Sequence, residues 1–186
     1  MTYYGAQQLA DSFRTVRKNT ILIAQDIPGD KYTHRPADGA RTVAQMLVHV
    51  ACSPRLFWQT PFESGIKDFT TFDFMAPVRE LEQEESTSRS KDEIVDLLTR
   101  NGEHFARFLE SRSEAELSEL FQSPMSSGQP AMKSGLELLL GAKEHEMHHR
   151  AQLMLIERQL GIIPHLTRQM NAMMEQMSPR EKPVGA

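Results

Sequence analysis

In the run Lys143-Glu144-His145-Glu146-Met147-His148-His149-Arg150, His145 and His149 stand four residues apart. On an α-helix this spacing places both imidazoles on one face, where their rings can converge on a single ion. Helical steps through Leu138, Ala142, His145, His149, Gln152 or Leu153, and Ile156 make the pair part of an apolar stripe. Such a stripe points into a core. Two buried imidazoles without partners would be costly, and neutral imidazole is the commonest metal ligand in proteins. Two ligands hold an ion weakly, so a third is needed. His49 lies beside the apolar positions Met46 and Val50 of an earlier helical segment and is the natural candidate. A lone inward histidine is more often a hydrogen-bonded core residue, so His49 carries weight only beside the pair. His148 is rotated off the stripe, and His34, His104 and His165 read as surface or loop residues.

The same five residues, His145-Glu146-Met147-His148-His149, match H-E-x-x-H, the zinc-protease helix in which the glutamate is the general base. The surroundings fit that motif poorly. Its extended form needs Gly and His where this chain has Gln152 and Leu155, and a downstream carboxylate ligand would have to be Glu175. Helical geometry also turns Glu146 a quarter-circle or more from the two histidines, as a solvated carboxylate or one behind the ligands. A zinc peptidase therefore stands as the lesser alternative. Cys52, about one turn after His49, is either a fourth ligand or, as buried cysteines usually are, a small apolar residue.

Helices must carry these groups. Leu9, Phe13, Val16, Thr20 and Ile23 repeat at helical spacing over about 6–25, and Pro28-Gly29 ends that segment. Four capping-box signatures open later segments at Thr42–Gln45, Ser90–Glu93, Ser113–Glu116 and Ser134–Glu137. They predict a second helix from Thr42, kinked or ended near Ser53 by Pro54, and a third over 91–111. A short helix over 114–121 and a fourth long helix over 135–160, stopped by Gly161, follow. A long connection over 60–88 carries a short helix at 77–84. A last helix over 165–177 follows Pro164, and residues 178–186 read as a disordered tail. No strand signal stands out, and 123–133 reads as a loop. Most of the 11 Met and 9 Phe should be core. The expectation is a single all-α domain over 1–177, a four-helix bundle.

The 186 residues carry a net charge of -4, with 39% hydrophobic and 25% charged residues, an ordinary globular balance. Nothing in it suggests a nucleic-acid partner. The apolar runs are too short to span a bilayer, the first residues do not read as a secretory signal, and the single cysteine permits no internal disulfide. A cytoplasmic location with no membrane partner is expected.

The chain resembles the DinB/YfiT-like superfamily of small metal-binding bundles. The resemblance rests on Ile27-Pro28 through Arg35-Pro36, on Thr42 to His49, and on His145 to Leu153, in that order, and spans about residues 6–160. It implies an up-down four-helix bundle, here with a long connection after the second helix and a short extra C-terminal helix. A homodimer is also implied, with one divalent transition-metal ion, nickel or zinc or alternatively iron or manganese, on His49, His145 and His149. Ala151 departs from the glycine often found before the glutamine, a change that costs little in a helix. Some relatives act as thiol-dependent transferases or isomerases, others as hydrolases. The expected function is thus a metal-dependent transferase or hydrolase acting on a small-molecule substrate, with a non-catalytic metal-binding or stress-response module as the alternative. Catalytic residues beyond the metal ligands are left unassigned.

Overall fold

The computed structural model describes residues 4–123 and 131–177. The four long helices are α1 (Ala6–Asp26), α2 (Val43–Ser53), α5 (Lys91–Glu110) and α7 (Gly135–Gln159). Between α2 and α5 lie a π-helical turn (Pro54–Gln59), α3 (Thr60–Glu63) and α4 (Met75–Ser86). A short α6 (Glu114–Ser118) precedes α7, and α8 (His165–Met177) follows it. All four predicted capping boxes are present, with Thr42, Ser90, Ser113 and Ser134 each accepting from the backbone N–H three residues on. The stop after α7 is also as read. Gly161 adopts φ 78°, and Ile162 N–H reaches back to the Glu157 carbonyl at 2.8 Å, a Schellman closure.

Helix α1 packs against α5 and α7, and α2 packs against the same two, so the bundle closes as a ring in the order α1, α5, α2, α7. Its interior holds an aliphatic cluster around Ile23, Leu47, Val50, Leu98 and Leu153 and an aromatic one around Phe13, Phe62, Phe105 and Phe121. Helix α4 lies along α2.

Two features differ from expectation. Short strands β1 (Leu120–Ser123) and β2 (Ala131–Ser134) form an antiparallel hairpin where a helix end and a loop were expected. The hairpin is anchored by Phe121, fully buried among Phe62 and Phe69, while its neighbour Leu120 is exposed. Four residues of alternation are too few to stand out as a period in the sequence. The tail at 178–186 and most of the 123–133 loop lie outside the described residues.

The second difference is at the centre of the bundle. The buried positions of α7 are Gly135, Leu139, Ala142, Glu146, His149, Leu153, Ile156 and Glu157, so the inward stripe runs through Glu146. Its carboxylate meets Arg17 of α1, which is 4% exposed against 1% for Glu146. Pro54 has no N–H to give the Val50 carbonyl, as a regular helix would require. Arg17 Nη2 supplies that donor instead, at 3.0 Å, and Nη1 donates to the Leu98 carbonyl of α5 at 2.8 Å. One guanidinium thus ties together all four long helices. Gly102 makes room for it: a Cβ there would lie 2.6 Å from Arg17 Cγ. Glu146 is therefore neither of the two things expected from the sequence, a solvated carboxylate or one behind the ligands, because its oxygens are held by Arg17 and Thr20.

Candidate metal centre

The Thr42 capping box starts α2 and sets the phase that turns His49 inward, to 8% exposure. Helix α7 carries His149 in its buried stripe and the half-buried His145 beside it. The three rings converge through their Nε2 atoms. His145 Nε2 is 3.1 Å from His49 Nε2 and 3.2 Å from His149 Nε2, with ring centroids 4.6 to 5.0 Å apart. Among the described residues this is the one group of histidine, cysteine and acidic side chains whose atoms could hold a metal ion.

The outer nitrogens decide what the inner ones can do. His49 Nδ1 donates to Glu85 Oε1 of α4 at 2.8 Å, and His149 Nδ1 donates to Gln152 Oε1 at 2.8 Å. Both rings then present a bare lone pair at Nε2. His145 Nε2 can give a proton to only one of them, so hydrogen bonds alone cannot satisfy the cluster. Nitrogen ligands at about 2.0–2.1 Å from a tetrahedral zinc lie about 3.3 Å apart, close to the separations found here. Histidine ligands held by a carboxylate or amide on the far nitrogen are the usual construction of metal sites. The residues fit a metal ion.

The electrostatics agree. Burial first, and then the neighbouring histidines, push His145 down to about 3. Burial likewise takes His149 down to about 4, against the opposing hydrogen bond to Gln152. Both rings are neutral at physiological pH, the state a ligand needs. Burial would raise Glu85, but hydrogen bonds from His49 and Arg41 hold its carboxyl below the ordinary range. Arg41 Nε contacts the other Glu85 oxygen at 2.7 Å.

A cavity of 610 Å³ opens beside His149 and Glu85, lined also by Arg35, Arg41, Gln45 and Gln152. On the other side of the cluster the Trp58 ring lies 5.4 Å from that of His145.

The remaining candidates fall elsewhere. Cys52 is buried against Asn101, its thiol pushed up to about 11 by burial, and it is not in the cluster. His148 is exposed and shares Gln152 with His149. His165, expected at the surface, is 4% exposed at the start of α8, with Nε2 on Asn19 Oδ1. Glu146 has both oxygens committed to Arg17 and Thr20, which removes it as a general base beside the histidines. The sequence reading did not find Glu85, one residue beyond the short helix expected at 77–84, nor Arg41 and Trp58. None of the three carries a spacing signal to the histidines.

A family model for the DinB superfamily matches residues 12–153. The chain belongs to this superfamily. It is 24% identical over 156 residues to the uncharacterized protein YjoA of Bacillus subtilis, covering 84% of this chain and 91% of that one. The crystal structure of that DinB-like protein superposes with a TM-score of 0.60, over 83% of this chain and 92% of YjoA, at 22% identity. YfiT of Bacillus subtilis, described as a probable metal-dependent hydrolase with an unusual four-helix bundle topology, superposes with a TM-score of 0.64. Identity there is 16%, over 87% of this chain and 91% of YfiT. The mycothiol-dependent maleylpyruvate isomerase gives 0.60 at 14% identity, over 82% of this chain and 63% of that enzyme. These likenesses establish the fold. Among the described residues no helix is long and apolar enough to cross a membrane.

Proposed function

We propose that this protein is a metal-dependent enzyme that holds one divalent transition-metal ion on His49, His145 and His149 and acts on a small molecule by hydrolysis or thiol-dependent transfer. The observation that carries it is the convergence of three imidazole nitrogens beside a 610 Å³ cavity, with two rings fixed from behind by Glu85 and Gln152. An all-nitrogen set suits zinc, nickel or iron. A bound ion with open positions would acidify a water or accept a thiolate, the chemistry shared by the two reaction classes. Three ligands and an adjoining cavity favour such an open site over a closed structural one. YfiT and the isomerase, one named a hydrolase and the other thiol-dependent, support both classes on this fold.

The chain's own groups have separable tasks. Glu85 orients His49, and Arg41 balances the Glu85 charge. Gln152 orients His149. Arg35 and Arg41 line the polar cavity and can receive an anionic part of a substrate. No protein carboxylate needs to act as base, since Glu146 is locked in the bundle interior.

The test is metal analysis of protein purified without a histidine tag, followed by turnover of a panel of peptides, esters, and thiol plus electrophile pairs. About one ion per chain is expected, lost in His49→Ala and His149→Ala together with activity. Variants that retain full metal contradict the site, and turnover that survives metal removal contradicts the mechanism.

A further inference from the structure

Helix α7 presents two cavities in line on either side of the histidine cluster. Toward its C-terminal end, Gln152, Leu155, Ile156 and Gln159 border the polar cavity. Toward its N-terminal end, Leu138, Leu139 and Gly141 border a second cavity of 390 Å³. Five aromatic rings also line that chamber: Phe57 and Trp58 from the π-helical turn, Phe62 from α3, and Phe69 and Phe74 from the connection to α4. Phe69 and Phe74 of this lining pack on each other and on Phe72, at 4.8 to 6.5 Å between ring centroids.

Trp58 separates this chamber from the cluster. One side of its indole meets His145, and its Nε1 rests against α7 at Gly141, where a Cβ would lie 2.9 Å away. Gly141 is one helical turn before His145, so the missing side chain is what lets the indole sit beside the histidines. The volume falls in the range of small-molecule sites. It exceeds the roughly 150 Å³ in which an apolar cavity binds benzene. The charged lining residues are Lys133, Glu137 and Glu144. The Glu137 carboxylate is already committed to the Ser134 cap. Two carboxylates against one ammonium give an anion no welcome.

We propose that the chamber around Trp58 is a binding site for an uncharged aromatic group, with the indole as the wall it shares with the histidine cluster. Binding in the chamber is measurable without metal. Trp58 is the only tryptophan in the chain, so its fluorescence reports the site directly.

The experiment titrates the full chain, metal-free, with 4-nitrobenzyl alcohol, a neutral aromatic quencher. Saturable quenching is expected, with 4-nitrobenzoate at least ten times weaker. Gly141→Ala, which displaces the indole, and Leu138→Phe, which fills the chamber, should each weaken the alcohol tenfold or more while far-UV circular dichroism stays unchanged. Should Gly141→Ala fail to fold, Leu138→Phe carries the test. His149→Ala should bind the alcohol as the wild type does, although it loses metal. Quenching that rises linearly, as it does for free N-acetyltryptophanamide, would overturn the proposal. So would equal binding of the carboxylate, or undiminished binding by folded Leu138→Phe. A protein that holds its metal yet fails these tests loses the aromatic site and keeps the metal centre. One that passes them without binding metal does the reverse.

Discussion

Arg17 and Glu146 form a two-pronged ion pair inside the bundle, Nε to Oε1 at 2.9 Å and Nη2 to Oε2 at 2.9 Å, with Thr20 donating to the same carboxylate at 2.7 Å. The literal H-E-x-x-H match thus has its glutamate turned away from the histidines and engaged in architecture. Replacing Glu146 would leave the Arg17 charge buried and alone.

Glu146→Gln should lower the stability of the fold by about 3–5 kcal/mol, the usual cost of breaking one side of a buried pair. Folded Glu146→Gln should still bind metal as the wild type does. The double variant Arg17→Met/Glu146→Leu should regain much of the loss. Gly102→Ala, which pushes on the Arg17 stem, should cost about 1–3 kcal/mol. Urea unfolding followed by circular dichroism measures all three, and a loss under about 1 kcal/mol for Glu146→Gln would contradict the reading.

Glu85→Gln should keep the fold and weaken metal binding by about 10- to 100-fold, the usual effect of removing the group that orients a histidine ligand. Competition with a chelator of known affinity gives the ratio. Affinity equal to that of the wild type would mean that Glu85 serves only to hold α4 on α2.

Glu157 governs a pH dependence far from the cluster. Its side chain is fully buried, and neither oxygen has a hydrogen-bond partner among the described residues. Burial first, and then Asp26, push it from 4.5 up to about 7, against Arg168 and Arg158. Between those two values the folded chain holds a proton that the unfolded chain has released, so stability falls as pH rises through the window. Burial holds His165 at the same end below its ordinary value, which gives the opposite slope as pH falls below about 6.5. The measurement is therefore the difference between wild type and Glu157→Gln. The variant should be more stable at pH 8 by on the order of 2–3 kcal/mol and lose that advantage near pH 4. A difference that does not change with pH would refute the assignment.

We also propose a homodimer, with α8 contributing to the contact. Met170, Met173 and Met177 are 56 to 72% exposed on this helix, and flexible thioethers suit an interface. Light scattering at micromolar concentration should give twice the chain mass, reduced toward one chain by Met170→Glu/Met173→Glu. A monomer mass for the wild type ends the idea.

The bundle was legible because its signals are local. Each capping box needs only four residues, and a helix over 135–160 with a histidine pair one turn apart follows from spacing alone. Glu85 was not legible, since its relation to His49 depends on how α4 lies along α2, which no periodicity encodes. Glu146 was legible in principle. The steps 135, 139, 142, 146, 149, 153 and 156 pick out every inward position of α7 except Glu157, and Arg17 stands between Phe13 and Thr20 on the inward face of α1. Reading the stripe through His145 displaced it by one residue. The hairpin was hidden for another reason: Phe121 is an ordinary core residue whose neighbours carry no pattern.

The Arg17 clamp grips the two ligand-bearing helices at positions adjoining the ligands, through the Val50 carbonyl next to His49 and the Glu146 carboxylate next to His145. The helices that carry the three histidines are therefore pinned to each other by a residue that touches none of the three rings, so a change at Arg17 would reach the cluster through the spacing of α2 and α7.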